Sequence, residues 1–464
     1  MLKPLPKPAP EPIKKETPKQ NALGGKVFAG LEVNEQQFTK IKQAVANIAQ
    51  LGAVINLNSQ GTEDISGALQ IVFAGGLVLA ASDIHFEPEE QNVKLRLRLD
   101  GLLHDIGLLN SALYRKILAR IKLLSELKLN ITDRSQDGRF TLKITEGNKA
   151  KEIEIRVSVL PSEYGEAVVM RILNPSAILS LDELGIRDDL KKILNKEIVR
   201  PNGMIIVTGP TGSGKTTTLY AVLKKIQNPE LKIITLEDPI EYHLEGISQS
   251  QINAAKGYDF ASGLQAIVRQ DPDAILVGEI RDQKTAQMAI QAALTGHLVL
   301  TTLHTNDAAG TIARLLALGE GPNDIASALN LVVAQRLARK ICSECSQSET
   351  ASAENLRMFA NELNALPEAI KDLLKISRLL KNTKLPIAKG CSACNNTGYK
   401  GRIGLYELMI ISDEMENFIV KMPTMADLNK KARENGMTTM KQDGLIKVLQ
   451  GITTLDEVIR VAGE

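Results

Sequence analysis

The sequence predicts an α/β fold: a buried parallel sheet, preceded by a smaller α+β domain and followed by a helical, cysteine-bearing region. Three observations predict it. Between residues 203 and 303, short apolar runs (GMIIVTG, KIITLED, AILVGE, HLVLTTLH) each end in polar chemistry, as strands of a sheet covered on both faces do. Earlier in the chain, Val93, Leu95, Leu97 and Leu99 alternate with Lys94, Arg96, Arg98 and Asp100, and Ile153, Ile155, Val157 and Val159 repeat the pattern. Strict period two is the mark of a half-buried strand. Towards the C-terminus the pattern becomes mostly helical and carries two Cys-x-x-Cys pairs.

A length of 464 residues is enough for about three domains with real cores. Residues 1–60 read as a flexible Lys/Pro-rich tether with a short helix at Glu35–Leu51, because MLKPLPKPAPEPIKKETPK alternates proline with charge and cannot build a core. Residues 61–172 form the α+β domain, with helices from about Glu63 to Ala81 and Ser111 to Leu127 and a further strand at Val168–Leu173. A linker covers 173–186, the parallel-sheet domain 187–335, and the cysteine-bearing helical region 336–464.

Composition narrows the function classes. With 56 basic and 54 acidic residues the net charge is +2, which argues against a nucleic-acid coat. The absence of Trp and an aromatic share of 3% leave few stacking platforms for single strands, so no direct nucleic-acid partner is expected. The N-terminus has no apolar signal core, and the longest apolar run, Ala68–Ala81, is interrupted by Gln70, Gly75 and Gly76 and is too short to span a bilayer. A cytoplasmic chain is expected, meeting any membrane through partners.

Gly209-Pro210-Thr211-Gly212-Ser213-Gly214-Lys215-Thr216, followed by Thr217, fits the phosphate-binding loop G-x-x-x-x-G-K-[ST] between an apolar strand and a helix. Glycines let backbone N–H groups wrap phosphates, Lys215 offers a point charge, Thr216 offers a hydroxyl to Mg²⁺, and the helix N-terminus faces the anion. ATP and Mg²⁺ are the expected ligands.

Hydrolysis needs a group that positions water. The run Ile275–Gly278 ends in Glu279, with Gly278 where a magnesium-holding Asp is usual, so Glu279 is expected to position water, support the metal, or both. A second strand ends in Glu237-Asp238-Pro239. Adjacent carboxylates beside a phosphate site favour a nearby cation, and the alternative is a turn set by Pro239. His297 and His304 bracket the run Leu298–Leu303. They stand at opposite ends of one strand and cannot share a small site, and one or both are read as a γ-phosphate sensor or a link to a neighbouring subunit. His85 and His104 read as structural.

These pieces together resemble the secretion ATPase superfamily, in particular the type IV pilus extension and type II secretion motors. The resemblance runs from Ser82 to the C-terminus. It rests on the ordered set ASDIHFEP, RLRLDGLLHDI, RVSVLP, GEAVVMRIL, GPTGSGKTTTLYA, TLEDPIEYH, RQDPDAILVGEIRD, TGHLVLTTLHTNDA, AQRLARKICSEC and GCSACNNTGYKGRIGLYE. It implies a RecA-like P-loop ATPase core behind a PAS-like N-terminal domain, assembled as a homohexamer. It also implies a polytopic inner-membrane platform protein and pilus or secretion docking proteins as partners. An alternative within the superfamily is a DNA-uptake or conjugation-associated ATPase. The resemblance places Arg156 and Arg171 of the N-terminal domain at the phosphates. Of a usual arginine pair it leaves Arg269 alone, since Gln265 stands at the other position. Relatives often carry a larger first domain than this chain.

Cys342-x-x-Cys345 and Cys391-x-x-Cys394 can present four thiolates to one structural Zn²⁺, with the intervening segment stapled at its base. Reduced structural thiols are the alternative. Four protein ligands leave no open position for catalysis.

Overall fold

The computed structural model describes residues 30–59, 64–147, 149–174, 179–376, 380 and 384–463. The proposed tether up to residue 29 and part of the proposed linker lie outside them.

The first domain is a seven-stranded sheet ordered β1-β5-β6-β7-β2-β3-β4. Its strands are β1 (Gly30–Val33), β2 (Asp83–Pro88), β3 (Asn92–Leu99), β4 (Leu102–Asn110), β5 (Gln136–Glu146), β6 (Lys149–Ser162) and β7 (Gly165–Leu173). Only the β1–β5 pair is parallel. Helices α1 (Glu35–Ala44), α2 (Ile48–Ser59), α3 (Ile65–Val78) and α4 (Ser111–Leu124) share its core. The period-two reading holds at β3: Val93, Leu95, Leu97 and Leu99 are buried while the alternate residues stay half-exposed. Because the period is two, a one-residue slip would expose all four. The opposite face is charged, and it is this face that meets the second domain, through Arg156 and Glu241.

Two boundaries are corrected. The domain takes in Gly30–Ser59 and does not start at 61: Leu31 and Val33 are buried against β5, and α1 and α2 join the same core. Two apolar residues in four are too short a signal to read as a strand. The single helix expected over Glu35–Leu51 is two. Asn34 and Gln37 form a capping box that starts α1, and Val45 in extended geometry ends it.

The second sheet is ordered β10-β9-β11-β12-β8-β13-β16. Its strands are β8 (Gly203–Thr208), β9 (Ile233–Glu237), β10 (Ser248–Gln251), β11 (Ala274–Val277), β12 (Leu298–Leu303), β13 (Leu329–Ile341) and β16 (Tyr399–Ile410), while β14 (Ser346–Thr350) and β15 (Lys384–Ala388) pair separately. All neighbours are parallel except β13–β16. Helix α5 (Asp188–Glu197) and helix α6 (Lys215–Ile226) cover one face. The other is covered by α7 (Phe260–Ile267), α8 (Gln283–Leu294), α9 (Ala308–Ala317) and α10 (Pro322–Ala328).

A boundary at 335 therefore falls inside β13, and the region beyond it is not a separate helical body. β16 closes the sheet edge, pairing from Leu331↔Ile410 to Ile341↔Tyr399. A buried ionic cluster fastens it further: Arg187 Nη1 donates to Asp443 (2.8 Å), and Lys447 Nζ donates to the same carboxylate (2.7 Å). With both Asp443 and Lys447 inaccessible, each charge depends on the other's presence.

Candidate functional site

The phosphate loop joins β8 to α6, as its sequence context requires. Gly209 (φ 148°) and Gly214 (φ 89°) sit in backbone regions that side chains avoid. A Cβ at Gly209 would lie 2.4 Å from the Gln335 carbonyl, and one at Gly214 would lie 2.7 Å from the Gln335 amide nitrogen. Gln335, inaccessible on β13, pins the loop from behind. Its Nε2 donates to the Ser213 carbonyl (2.7 Å), and its Oε1 accepts from Thr218 (2.7 Å). Thr208 fastens the adjoining strand end to Thr305 (Oγ1 to Oγ1, 2.7 Å). Lys215 Nζ donates to the carbonyls of Gly209 (2.9 Å) and Pro210 (3.1 Å), and burial pushes its pKa down despite the opposing pull of Glu279.

Loop, sheet edge and N-terminal domain enclose a cleft of about 420 Å³ that includes Lys215, Thr216, Thr217, Glu279, His304 and Arg171. Its size suits a nucleotide. The donor set fits a phosphate–magnesium ligand: Thr216 offers an exposed hydroxyl, and Ser213 Oγ is buried without a hydrogen-bond partner among the described residues. Glu279 extends from β11 just past Gly278, whose N–H donates to the Leu236 carbonyl (2.8 Å) and whose carbonyl accepts from Thr302 (2.8 Å). Its carboxylate accepts from Arg281 Nη2 (2.5 Å) and lies 3.4 Å from His304 Nε2. Burial pushes the Glu279 carboxyl up, but Arg281 and His304 outweigh it and hold the group below the usual range.

The structure separates several residues that the sequence groups together. His304 is at the cleft. His297 is not: six strand residues at ~3.3 Å each put it ~20 Å away, and its Nδ1 lies 3.0 Å from the Ala292 carbonyl. Glu237 lines the cleft, but its carboxylate is buried and already occupied by Tyr220, Thr235 (2.5 Å) and Gln249 (3.2 Å). Neutral donors thus satisfy it without a cation, whereas neighbouring Asp238 is exposed to the cleft. Arg269 is exposed on a short 3₁₀ turn outside the cleft of its own chain. Arg171 reaches the cleft. Arg156, its cross-strand neighbour, instead clamps the two domains together, donating to Glu241 (2.7 Å) and to the Ile240 carbonyl (2.5 Å).

The sequence reading gave no role to Arg281, Gln335, Arg336 or Arg402. Arg281 follows Glu279 by two residues, and the other three sit in the motifs AQRLARK and GRIGLYE, so the signal was present in the pattern. Arg336 is half-buried, and burial pushes its pKa down. One of its terminal nitrogens has no partner among the described residues, while the other donates to Asn306 (3.3 Å).

The four cysteines meet at one place. All their sulfurs lie within 4.8 Å of one another, and Cys394 Sγ is 3.7 Å from both Cys345 Sγ and Cys391 Sγ. A tetrahedral Zn–S₄ site has sulfurs ~3.8 Å apart. Burial opposes the Cys394 thiolate, yet the N–H groups of Cys391 and Gly398 (3.2 Å each) hold that thiol down to about 7.

Comparison with known proteins agrees with this geometry. The family described as "Type II/IV secretion system protein" matches residues 59–460. The chain belongs to that family. It is 42% identical over 382 residues to the type IV pilus assembly ATPase PilB of Pseudomonas aeruginosa, covering 82% of this chain and 64% of that relative. It is 45% identical over 388 residues to type II secretion system protein E of Pectobacterium carotovorum, covering 83% and 73%. Among solved structures, that of the pilus retraction motor PilT with bound ADP superposes with a TM-score of 0.56 at 26% identity, covering 86% of this chain and 97% of that one. No helix among the described residues is long and apolar enough to cross a membrane.

Proposed function

We propose that this chain is a ring-forming, hexameric ATPase motor that drives type IV pilus assembly or extension of a type II secretion pseudopilus. It would work in the cytoplasm, at the inner membrane through a polytopic platform protein and docking partners. One observation carries the reading: phosphate loop, water-positioning carboxylate and a guanidinium from a second domain converge on one cleft. The identities of 42% and 45% to assembly and secretion ATPases, against 26% to a retraction motor, favour the assembly direction.

In this mechanism Gly209–Thr217 cradle the phosphates of ATP and Lys215 moves from the loop carbonyls to the β- and γ-oxygens. Thr216 would hold Mg²⁺, which when bound offsets charge on the phosphates. Glu279, kept ionised by Arg281 and His304, orients the attacking water. Arg171 stabilises charge developing on the γ-phosphoryl group. Because Arg171 belongs to the other domain, its grip weakens as the phosphoryl group departs, which couples hydrolysis to domain motion. Cys342, Cys345, Cys391 and Cys394 hold a structural zinc.

The test is affinity capture of Glu279→Gln, held in ATP, with mass spectrometry of the proteins retained. A platform protein with pilus-alignment proteins and pilin indicates pilus assembly; a platform with secretion docking proteins indicates type II secretion. Retention of nucleic acid or relaxase-like proteins without a platform overturns the assignment to pilus assembly or type II secretion.

A further inference from the structure

The charged face of the first sheet carries a row of cross-strand neighbours: Arg139 on β5 opposite Arg156 on β6, Arg156 opposite Arg171 on β7, Arg171 opposite Asp83 on β2, and Asp83 opposite Arg98 on β3. Like charges directly opposite one another destabilise a sheet, so the one carboxylate in the row has work to do. Asp83 is 5% exposed, and both of its oxygens are used. Oδ1 accepts from Arg171 Nε (3.1 Å), while Oδ2 accepts from Ser82 Oγ (2.8 Å) and faces Arg98 Nε (3.3 Å).

We infer that Asp83 is a positioning residue for Arg171 in ATP hydrolysis. This rests on the reading of Arg171 as a phosphate ligand and extends it. The atom used is the key. Asp83 takes Nε and leaves the two terminal nitrogens of Arg171 without a hydrogen-bond partner among the described residues, on a side chain that lines the nucleotide cleft. A guanidinium fixed at Nε keeps a two-pronged fork for oxyanions. Arg171 is otherwise 58% exposed, and a long side chain in water samples many rotamers. Anchoring it to a carboxylate that is itself locked by Ser82 and Arg98 removes that freedom before the phosphate arrives.

The test uses the full chain, with kcat, binding of a fluorescent ATP analogue and melting temperature all recorded. Arg171→Ala is expected to lower kcat on the order of a hundredfold. Asp83→Asn, which keeps the shape and loses the charge, should lower kcat at least tenfold with ATP affinity nearly unchanged, and Asp83→Asn with Arg171→Ala should be no slower than Arg171→Ala alone. Asp83→Glu guards against a folding artefact. It keeps the charge balance, but one extra methylene displaces the guanidinium, so kcat should still fall roughly tenfold. Parental kcat in Asp83→Glu, or losses that multiply in the double variant, would show that Asp83 only balances charge. Parental kcat in Arg171→Ala would instead overturn the reading of the cleft and this inference with it.

Discussion

At the scale of single residues, the cleft divides binding from chemistry. Lys215→Ala removes the point charge at the phosphates, so both ATP binding and turnover should be lost. Glu279→Gln keeps shape and hydrogen bonding but cannot polarise water; turnover should fall at least a hundredfold while ATP still binds. Measurable hydrolysis at the parental rate in the Gln variant would sink the assignment of Glu279. The two histidines give a sharper contrast. His304, 3.4 Å from Glu279, should cost on the order of tenfold or more in kcat when replaced by Ala. His297→Ala should leave the ATPase rate of the isolated chain near that of the parent, because its ring faces the Ala292 carbonyl at the far strand end. The phosphate loop and Glu279, which line one cleft, were legible in sequence because their pattern is local: a glycine motif, and a strand that ends in a carboxylate. It could not place His297, Glu237 or Arg269. Their roles depend on which neighbours satisfy them, and for Glu237 those include Tyr220 and Gln249, 17 and 12 residues away in the chain, besides Thr235.

At the scale of elements, the last helix, Leu455–Ala462, is held to β13 by one carboxylate. Glu457 is 1% exposed and accepts from the Arg339 N–H (2.8 Å), Arg339 Nη2 (2.8 Å) and Arg460 Nε (2.8 Å). Burial alone would raise its pKa, but these donors prevail and hold it down to about 2. A depressed carboxylate stabilises the fold above its unfolded value, near 4.5, and that contribution is lost as pH falls towards 2. Thermal melts should therefore show the parent losing stability through this window. Glu457→Gln should start about 2 kcal/mol less stable at neutral pH, since Arg460 is half-exposed and softens the penalty, and should lose less as the pH falls. Equal pH slopes for the two proteins would remove Glu457 from the account. Elements were legible in sequence wherever burial is one-sided or complete, as in β3, β11 and β12. They were not legible in β1, which is too short, or in β16, whose place at the sheet edge is fixed by pairing with a strand far earlier in the chain, from Leu331↔Ile410 to Ile341↔Tyr399.

At the scale of the whole molecule, the cysteine knuckle is also a resting point for the N-terminal domain. Asn395, adjacent to Cys394 and in left-handed geometry, accepts from the Ile48 N–H (2.7 Å) at the start of α2, and Gly401 N–H donates to Asp100 (2.8 Å) between β3 and β4. A further contact between the domains is the Arg156–Glu241 clamp beside the cleft. Asn395 can hold its position only if the turn of Ser392–Cys394 is rigid, and four thiolates on one ion would make it so. Metal analysis should find one zinc per chain. Removing it with a chelator, or replacing Cys391 by Ser, should speed hydrogen exchange around Ile48 and Asp100 while the amides of β8 and β12 stay protected. Exchange that is unchanged after complete metal loss would mean that the knuckle is held by its own packing and hydrogen bonds, and that zinc has no part in how the N-terminal domain is seated over the cleft.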